Sequence, residues 1–301
     1  VEINPVLKKL GFAGDDRVAI IHTDDIGMCQ ASVDAFADLW DVGLISSGAT
    51  MVPCPWFPEA AAFCRAHPEV DMGVHLTLTS EWKTYRWGPI STRDPASGLI
   101  DDEGFFYRTS EEAQQHGDPA AIQRELEAQV ARALAYGVPI THVDTHMGTV
   151  AVPQLIPGYL QLAAQHGVPP MMFRLDESGW MAMGMDAGTA QIGVQMVGFL
   201  EEQGVPLLDA IGGLELDRAK TPEERIAYAK ESLDALKPGI THFIIHPTRD
   251  TPEVRAITPD WPCRVADYEA FRSEALRRHV RDSGVHVIGY RALKDLIGPV
   301  S

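Results

Sequence analysis

The chain has 301 residues, and no apolar run in it approaches the roughly 20 residues that a membrane-spanning helix needs. The opening stretch, VEINPVLKKLGFAGDDR, has no apolar core of the kind that marks a secretory signal. It begins on Val rather than Met, which fits a processed or trimmed start. Basic residues are scarce: 25 Lys and Arg stand against 42 Asp and Glu, a net charge of −17. That balance argues against binding nucleic-acid phosphates or anionic membranes through bulk electrostatics, and leaves a neutral substrate such as a sugar open. Cysteine is also sparse. Cys29, Cys54, Cys64 and Cys263 form no CxxC pair, and read as reduced thiols of a cytoplasmic protein. Cys29 lies near an acidic pair but has no evident base in sequence, so a nucleophilic thiol is not expected. There is no glycine-rich phosphate fingerprint, internal repeat, low-complexity tract or linker. With 45% hydrophobic and 22% charged residues, the chain can bury a sizeable core, and it is expected to form one domain over residues 1–301.

What is present is alternation. Short β-forming segments are expected at Val18–His22, Ile45–Val52, Asp71–Thr79, Thr141–Thr145, Met171–Leu175, Thr241–His246 and Val285–Tyr290, with a weaker one at Pro206–Ile211. Amphipathic helical patterns lie between them, at Ala31–Trp40, Phe57–Ala66, Ser110–Tyr136, Pro153–His166, Ala187–Glu202, Pro222–Leu236, Asp267–Asp282 and Ala292–Leu296. Gly or Pro just before a strand, as in YGVPITHVD and HGVPPMMFR, marks helix ends. The fold class this predicts is α/β: a single-domain, TIM-like (β/α) barrel of seven or eight parallel strands, with distortion of the barrel allowed. Residues 81–107, EWKTYRWGPISTRDPASGLIDDEGFFY, interrupt the rhythm as a long loop rich in aromatics. Such a loop is usually functional. Its aromatics, Trp82, Tyr85, Trp87 and Phe106 among them, suit stacking on sugar rings as well as packing the loop's own small core.

Parallel barrels carry their chemistry at the C-terminal ends of strands. Strand one ends in Asp24 and Asp25, in VAIIHTDDIGMC. The segment DMGVHLTLTS carries His75, and THVDTHMGT carries His142, Asp144 and His146 at a spacing of two, so those three can share a face. Arg174 and His246 lie at later strand ends. Each residue alone is more simply a turn, a core histidine or a salt-bridge partner. Together, an Asp and two His at one mouth suit a divalent cation, with a further carboxylate and His left over as base and acid.

These residues resemble the YdjC/ChbG family of carbohydrate deacetylases, relatives of the polysaccharide deacetylases, over nearly the whole chain. The resemblance rests on IIHTDDIGM, GVHLTLTS, THVDTHMG, FRLDE and IIHPT. It implies Asp25, His75 and His146 as metal ligands, Asp24 as catalytic base, His246 as general acid and Arg174 as the arginine that orients a catalytic carboxylate. His142 is the alternative to His146, which lies nearer the mouth, and Asp144 suits a partner to a ligand imidazole. The implied cofactor is a divalent ion, zinc or magnesium, which the sequence does not resolve. The implied reaction is hydrolysis of an N-acetyl group from an amino sugar or short chito-oligosaccharide. Thr23 and Ile26 depart from the family pattern, and HMGTV follows where further His residues are usual. A metal-dependent phosphoesterase or amidohydrolase on the same barrel, or a sugar-binding protein that has lost catalysis, are the competing readings. A homodimer is left open.

Overall fold

Val18, Ala19, Ile20 and Ile21 are all fully buried, as consecutive apolar residues require when both faces of a strand are covered. The computed structural model describes residues 3–298. It places that run in β1 (Arg17–Ile26), followed by β2 (Ser47–Thr50), β3 (Met72–Leu76), β4 (Ile140–Thr145), β5 (Ala210–Gly213), β6 (Gly239–Ile245) and β7 (Val285–Val287). All the strand pairings are parallel, in the order β4-β3-β2-β1-β6-β5. One edge of β1 pairs with β6 from Arg17 to Thr23. The other edge pairs with β7 over its first three residues and with β2 from His22 onward. Parallel strands need crossover connections, and helices supply them on the outer face.

The barrel is distorted on one side. Met171–Leu175, expected as a strand, contributes only single bridges, Val143 to Pro170 and Phe173 to Leu208. The reason lies in Pro169 and Pro170, which carry no N–H for a ladder. Isolated hydrogen bonds, such as Met171 N–H to Val143 O (2.9 Å) and Leu208 N–H to Met172 O (2.9 Å), span the gap between β4 and β5 in place of a strand.

The helices Phe57–Ala66 and Ala187–Glu202 have the expected bounds. Two expected helices are instead pairs. Ser110–Tyr136 breaks into Ser110–His116 and Pro119–Ala135, because Pro119 disfavours the helical conformation at Asp118. Asp118 then caps the second helix by accepting from Ala121 N–H at 2.8 Å. The Asp267–Asp282 pattern starts earlier, at Trp261, ends at Phe271, and resumes at Glu274 behind the Ser273 cap. The loop over residues 81–107 is irregular but packed: Trp87, Leu99 and Phe106 are in the core, and Arg86 ties it together through Asp101 and the Phe106 carbonyl.

Candidate active site

Asp24 and Asp25 should face opposite sides of an extended strand. They do not, because the β1–β2 register shifts between Thr23 and Ile26 and Asp25 takes a left-handed backbone conformation, φ 60°. Asp is one of the few residues that accepts this conformation readily. The bulge brings both carboxylates to one cleft, of about 390 Å³, at the C-terminal ends of β1, β3, β4 and β6. A larger cavity, about 800 Å³, is lined by residues 86–93 with Phe105 and Arg132, and by none of the carboxylates and imidazoles described below.

Asp25 Oδ1 is buried, accepts no hydrogen bond, and faces His146 Nδ1 at 3.1 Å and His75 Nε2 at 3.6 Å. The two imidazole nitrogens are themselves 3.3 Å apart. The outer nitrogens are held by carboxylates, which can only accept: His75 donates Nδ1–H to Asp144 Oδ1 (2.9 Å) and His146 donates Nε2–H to Glu81 Oε2 (3.2 Å). In the neutral imidazoles, three lone pairs therefore converge on one point. That arrangement is unfavourable unless a cation or added protons lie between them. The charges show the same demand. Burial would push the His75 pKa down, but Asp144 and Asp24 outweigh it and raise it to about 9. For His146, Glu81 and Asp25 likewise overcome burial and raise it to about 10. Burial would raise the Asp25 carboxyl, yet Arg264 and His146 hold it well below the usual range. The donor set Asp25, His75 and His146 thus fits a divalent cation.

Asp24 sits beside this triad. Its Oδ1 accepts from His22 Nδ1 at 2.7 Å, while Oδ2 faces the cleft, 3.7 Å from His75 Nε2 and 3.8 Å from His246 Nε2. His75, His22 and His246 outweigh burial and keep Asp24 ionised well below the ordinary carboxyl pKa. His246 follows β6, its backbone N–H held by Asp267 at 3.0 Å. Burial lowers its pKa against the opposing pull of Asp25 and Asp24, and its Nδ1 has no hydrogen-bond partner. Trp82, Met147, Met171, Ile211, Leu216 and Ile244 give the cleft an apolar wall.

Residues 18–282 match the family model described as YdjC-like protein. The chain belongs to the YdjC-like family. A carbohydrate deacetylase of Thermus thermophilus is 31% identical over 97% of this chain and 99% of that protein. A second, from Thermoanaerobacter pseudethanolicus, is 22% identical over 92% of this chain and all of its own length (100%). Among solved structures, a protein of Enterococcus faecalis V583 described as a candidate for cellobiose-phosphate cleavage superposes with a TM-score of 0.73. It covers 92% of this chain and 99% of its own at 20% identity, a likeness of fold.

In this YdjC-like chain, Asp24, Asp25, His75, Asp144, His146 and His246 all come together, as the strand ends suggested. His142 does not join them. Its ring is fully buried one layer deeper, stacked on Tyr290 with centroids 3.8 Å apart. Arg174 lies at the opposite end of the sheet. It pairs with Glu201 and Asp209, and Asp209 accepts from Ile240 N–H at the start of β6, so it cannot orient a carboxylate in the cleft. The arginine in the site is Arg264, on the helix Trp261–Phe271: it donates to Asp25 Oδ2 at 2.7 Å and to Asp260 Oδ1 at 2.8 Å. Of the four aromatics expected to meet substrate, only Trp82 lines the cleft. Trp87 and Phe106 are spent on the core, and Tyr85 donates its hydroxyl to the Met28 carbonyl, because the long loop must anchor itself. Nothing in the sequence singles out Arg264, Glu81 or His22. Arg264 reaches in from a helix rather than a strand end, and its spacing of four from Asp260 reads as an ordinary helix pair.

Proposed function

We propose that this chain is a metal-dependent carbohydrate N-deacetylase, hydrolysing the N-acetyl group of an amino sugar or short chito-oligosaccharide to acetate and a free amine. The observation that carries this reading is the convergence of Asp25 Oδ1, His75 Nε2 and His146 Nδ1 beside a carboxylate and an imidazole in one apolar-walled cleft. The relatives' shared description as carbohydrate deacetylases supports it. A divalent ion held by Asp25, His75 and His146 would supply Lewis-acid polarisation of the acetamide carbonyl and acidify the attacking water.

The remaining work falls to the protein. Asp24, ionised and with Oδ2 turned into the cleft, takes the water's proton. His246 enters neutral, since burial lowers its pKa, and faces Asp24 Oδ2 at 3.8 Å, so that the proton reaches it through one bridging water and passes on to the leaving amine. Arg264 holds Asp25 through the oxygen that does not face the imidazoles. The apolar wall excludes water and offers Trp82 as a stacking face for the sugar. A phosphoester substrate fits less well: Asp24, Asp25, Glu81, Asp144 and Asp260 line the cleft, and the one arginine in its lining, Arg264, is already engaged by two of them.

The test is acetate release from N-acetylated sugars, from monosaccharide to chito-oligosaccharide, with zinc, with magnesium and with chelator. Chelator-sensitive release supports the reading and ranks both metal and sugar. No release from any member by metal-loaded protein refutes it.

A further inference from the structure

A line of buried side chains runs from Asp24 away from the cleft. His22 Nδ1 lies 2.7 Å from Asp24 Oδ1, and His22 Nε2 lies 2.8 Å from His142 Nε2. His142 Nδ1 is 3.0 Å from Thr141 Oγ1, which is 2.6 Å from Asp71 Oδ1. None of the five residues is more than 8% exposed. Asp71 directly precedes β3, so the line crosses the barrel interior from one end of the strands to the other.

Four contacts need four hydrogens. With both carboxylates ionised and both imidazoles neutral, the line owns only three. An ionised Asp24 accepts, so His22 must carry Nδ1–H, leaving Nε2 bare. His142 must then carry Nε2–H, leaving Nδ1 bare to take the Thr141 hydroxyl hydrogen. Thr141 now turns only a lone pair toward Asp71, and an ionised Asp71 has no hydrogen to offer. A 2.6 Å contact between two acceptors is not stable.

Among the described residues, no neighbour donates a hydrogen into these four contacts. Asp71 also accepts from the Ser47 hydroxyl (3.0 Å) and from Arg291 backbone N–H (2.7 Å), while the Arg291 guanidinium turns to the carbonyls of Pro68, Glu69 and Val70. The His22 ring otherwise faces Asp144 Oδ2 at 3.6 Å and the His242 ring, with centroids 4.5 Å apart. The His142 ring faces Tyr290, whose hydroxyl is engaged with His242 Nδ1 at 2.8 Å.

We propose that the line Asp71–Thr141–His142–His22 holds one proton beyond this count, shared along its length, and so presents the His22 Nδ1–H to Asp24. The functional meaning rests on the deacetylase reading, in which Asp24 is the base; the hydrogen count does not. Its resting place in this proposal is Asp71, because the 2.6 Å contact to Thr141 Oγ1 is the one the count leaves without a hydrogen. Burial raises the pKa of that carboxyl, while burial and the neighbouring His22 and His242 imidazoles drive His142 well below its ordinary value. Every donor then points toward Asp24. Sharing runs by paired steps, in which the Asp71 O–H breaks as a Thr141 O–H forms and the original Thr141 O–H breaks as His142 Nδ1–H forms; the lowered pKa of His142 keeps the resulting imidazolium the minor form.

Imidazole ¹⁵N and carboxyl ¹³C NMR of the full chain at pH 7 tests this without any assay of turnover. Expected are a single Nδ1–H on His22, a single Nε2–H on His142 and a protonated Asp71. Three ring N–H groups beside an ionised Asp71 also give four hydrogens, and support the extra proton with a different resting place. Two neutral rings beside an ionised Asp71 overturn the proposal. Asp71→Asn supplies the fourth hydrogen as an amide N–H, so it should lock the same ring tautomers from pH 5 to 9; altered tautomers there overturn it as well. Thr141→Val should strip His142 Nδ1 of its partner and shift that nitrogen's signal, while Thr141→Ser restores it. If either variant at these positions fails to fold, the wild-type count decides. A protein that shows four hydrogens yet releases no acetate would sink the deacetylase reading and leave the line intact.

Discussion

Arg264→Met is the sharpest probe of how this cleft is held together. The arginine is only 4% exposed and donates to Asp25 Oδ2 at 2.7 Å and to Asp260 Oδ1 at 2.8 Å. Methionine fills much of the stem volume but leaves Asp25 buried, next to Asp24, without the strongest of its compensating charges. Breaking a buried pair in this way costs about 3–5 kcal/mol. At roughly 2 °C per kcal/mol for a chain of this size, the metal-free melting temperature should fall by about 6–10 °C. A divalent ion at Asp25 changes the balance. In the parent it enters against the guanidinium charge; in the variant it replaces that charge. The variant should therefore bind the ion more tightly, and at one fixed excess of metal the deficit should shrink by about 1.4 kcal/mol for each tenfold gain in affinity over the parent. Thermal unfolding of both proteins with chelator, and again with excess zinc or magnesium, measures this. A loss below about 2 °C in chelator, or a deficit that widens with metal, would refute the account of Arg264 and Asp25 as a charge-balanced pair at a cation site.

The raised pKa values of His75 (about 9) and His146 (about 10) belong to the folded, metal-free protein, so their stabilising effect is complete below the unfolded value of about 6.5 and is lost as pH rises through about 9–10. Melting temperature in chelator should accordingly fall between pH 7 and 10, and a flat profile would contradict the charged pair. Metal binding at pH 7.5 should also release protons from these imidazoles, read by calorimetry in buffers of different ionisation enthalpy. Asp24→Asn should lower acetate release by about 10²–10⁴-fold and leave metal affinity nearly unchanged; full activity would remove Asp24 from the base role. Glu81→Ala should weaken metal binding by about 10–100-fold by freeing His146 Nε2, and unaltered affinity in a titration would show that Glu81 does not orient that ring.

The residues legible in the sequence were those at strand ends. Asp24, Asp25, His75, Asp144 and His146 could be read because a parallel barrel sends such residues to one mouth, and the structure brings them to one cleft. Arg174 went astray for a specific reason. Its segment follows Pro169 and Pro170, never becomes a strand, and delivers the side chain to Asp209 at the far end of the sheet. The aromatic loop misled in a different way: most of its rings were needed to anchor the loop, so three of the four candidates turn inward or tie to the backbone. Arg264 and Glu81 carried no periodic signal at all. One comes from a helix and the other from a loop, and each matters only through a partner distant in sequence.

Alternation of apolar strands with amphipathic helices was enough to determine the parallel α/β class and the end of the sheet that carries polar chemistry. Both follow from local periodicity, which each segment holds within itself. The tertiary structure decided what periodicity cannot express. It set the bulge that turns two adjacent aspartates into one cleft, the placing of His146 in that cleft with His142 a layer deeper, and the presence of Arg264 there while Arg174 lies at the other end of the sheet. It also assembled the buried line from Asp24 to Asp71, whose members come from three separate stretches of chain. A backbone register, a depth and a charge partner are relations between segments, so no segment specifies them alone.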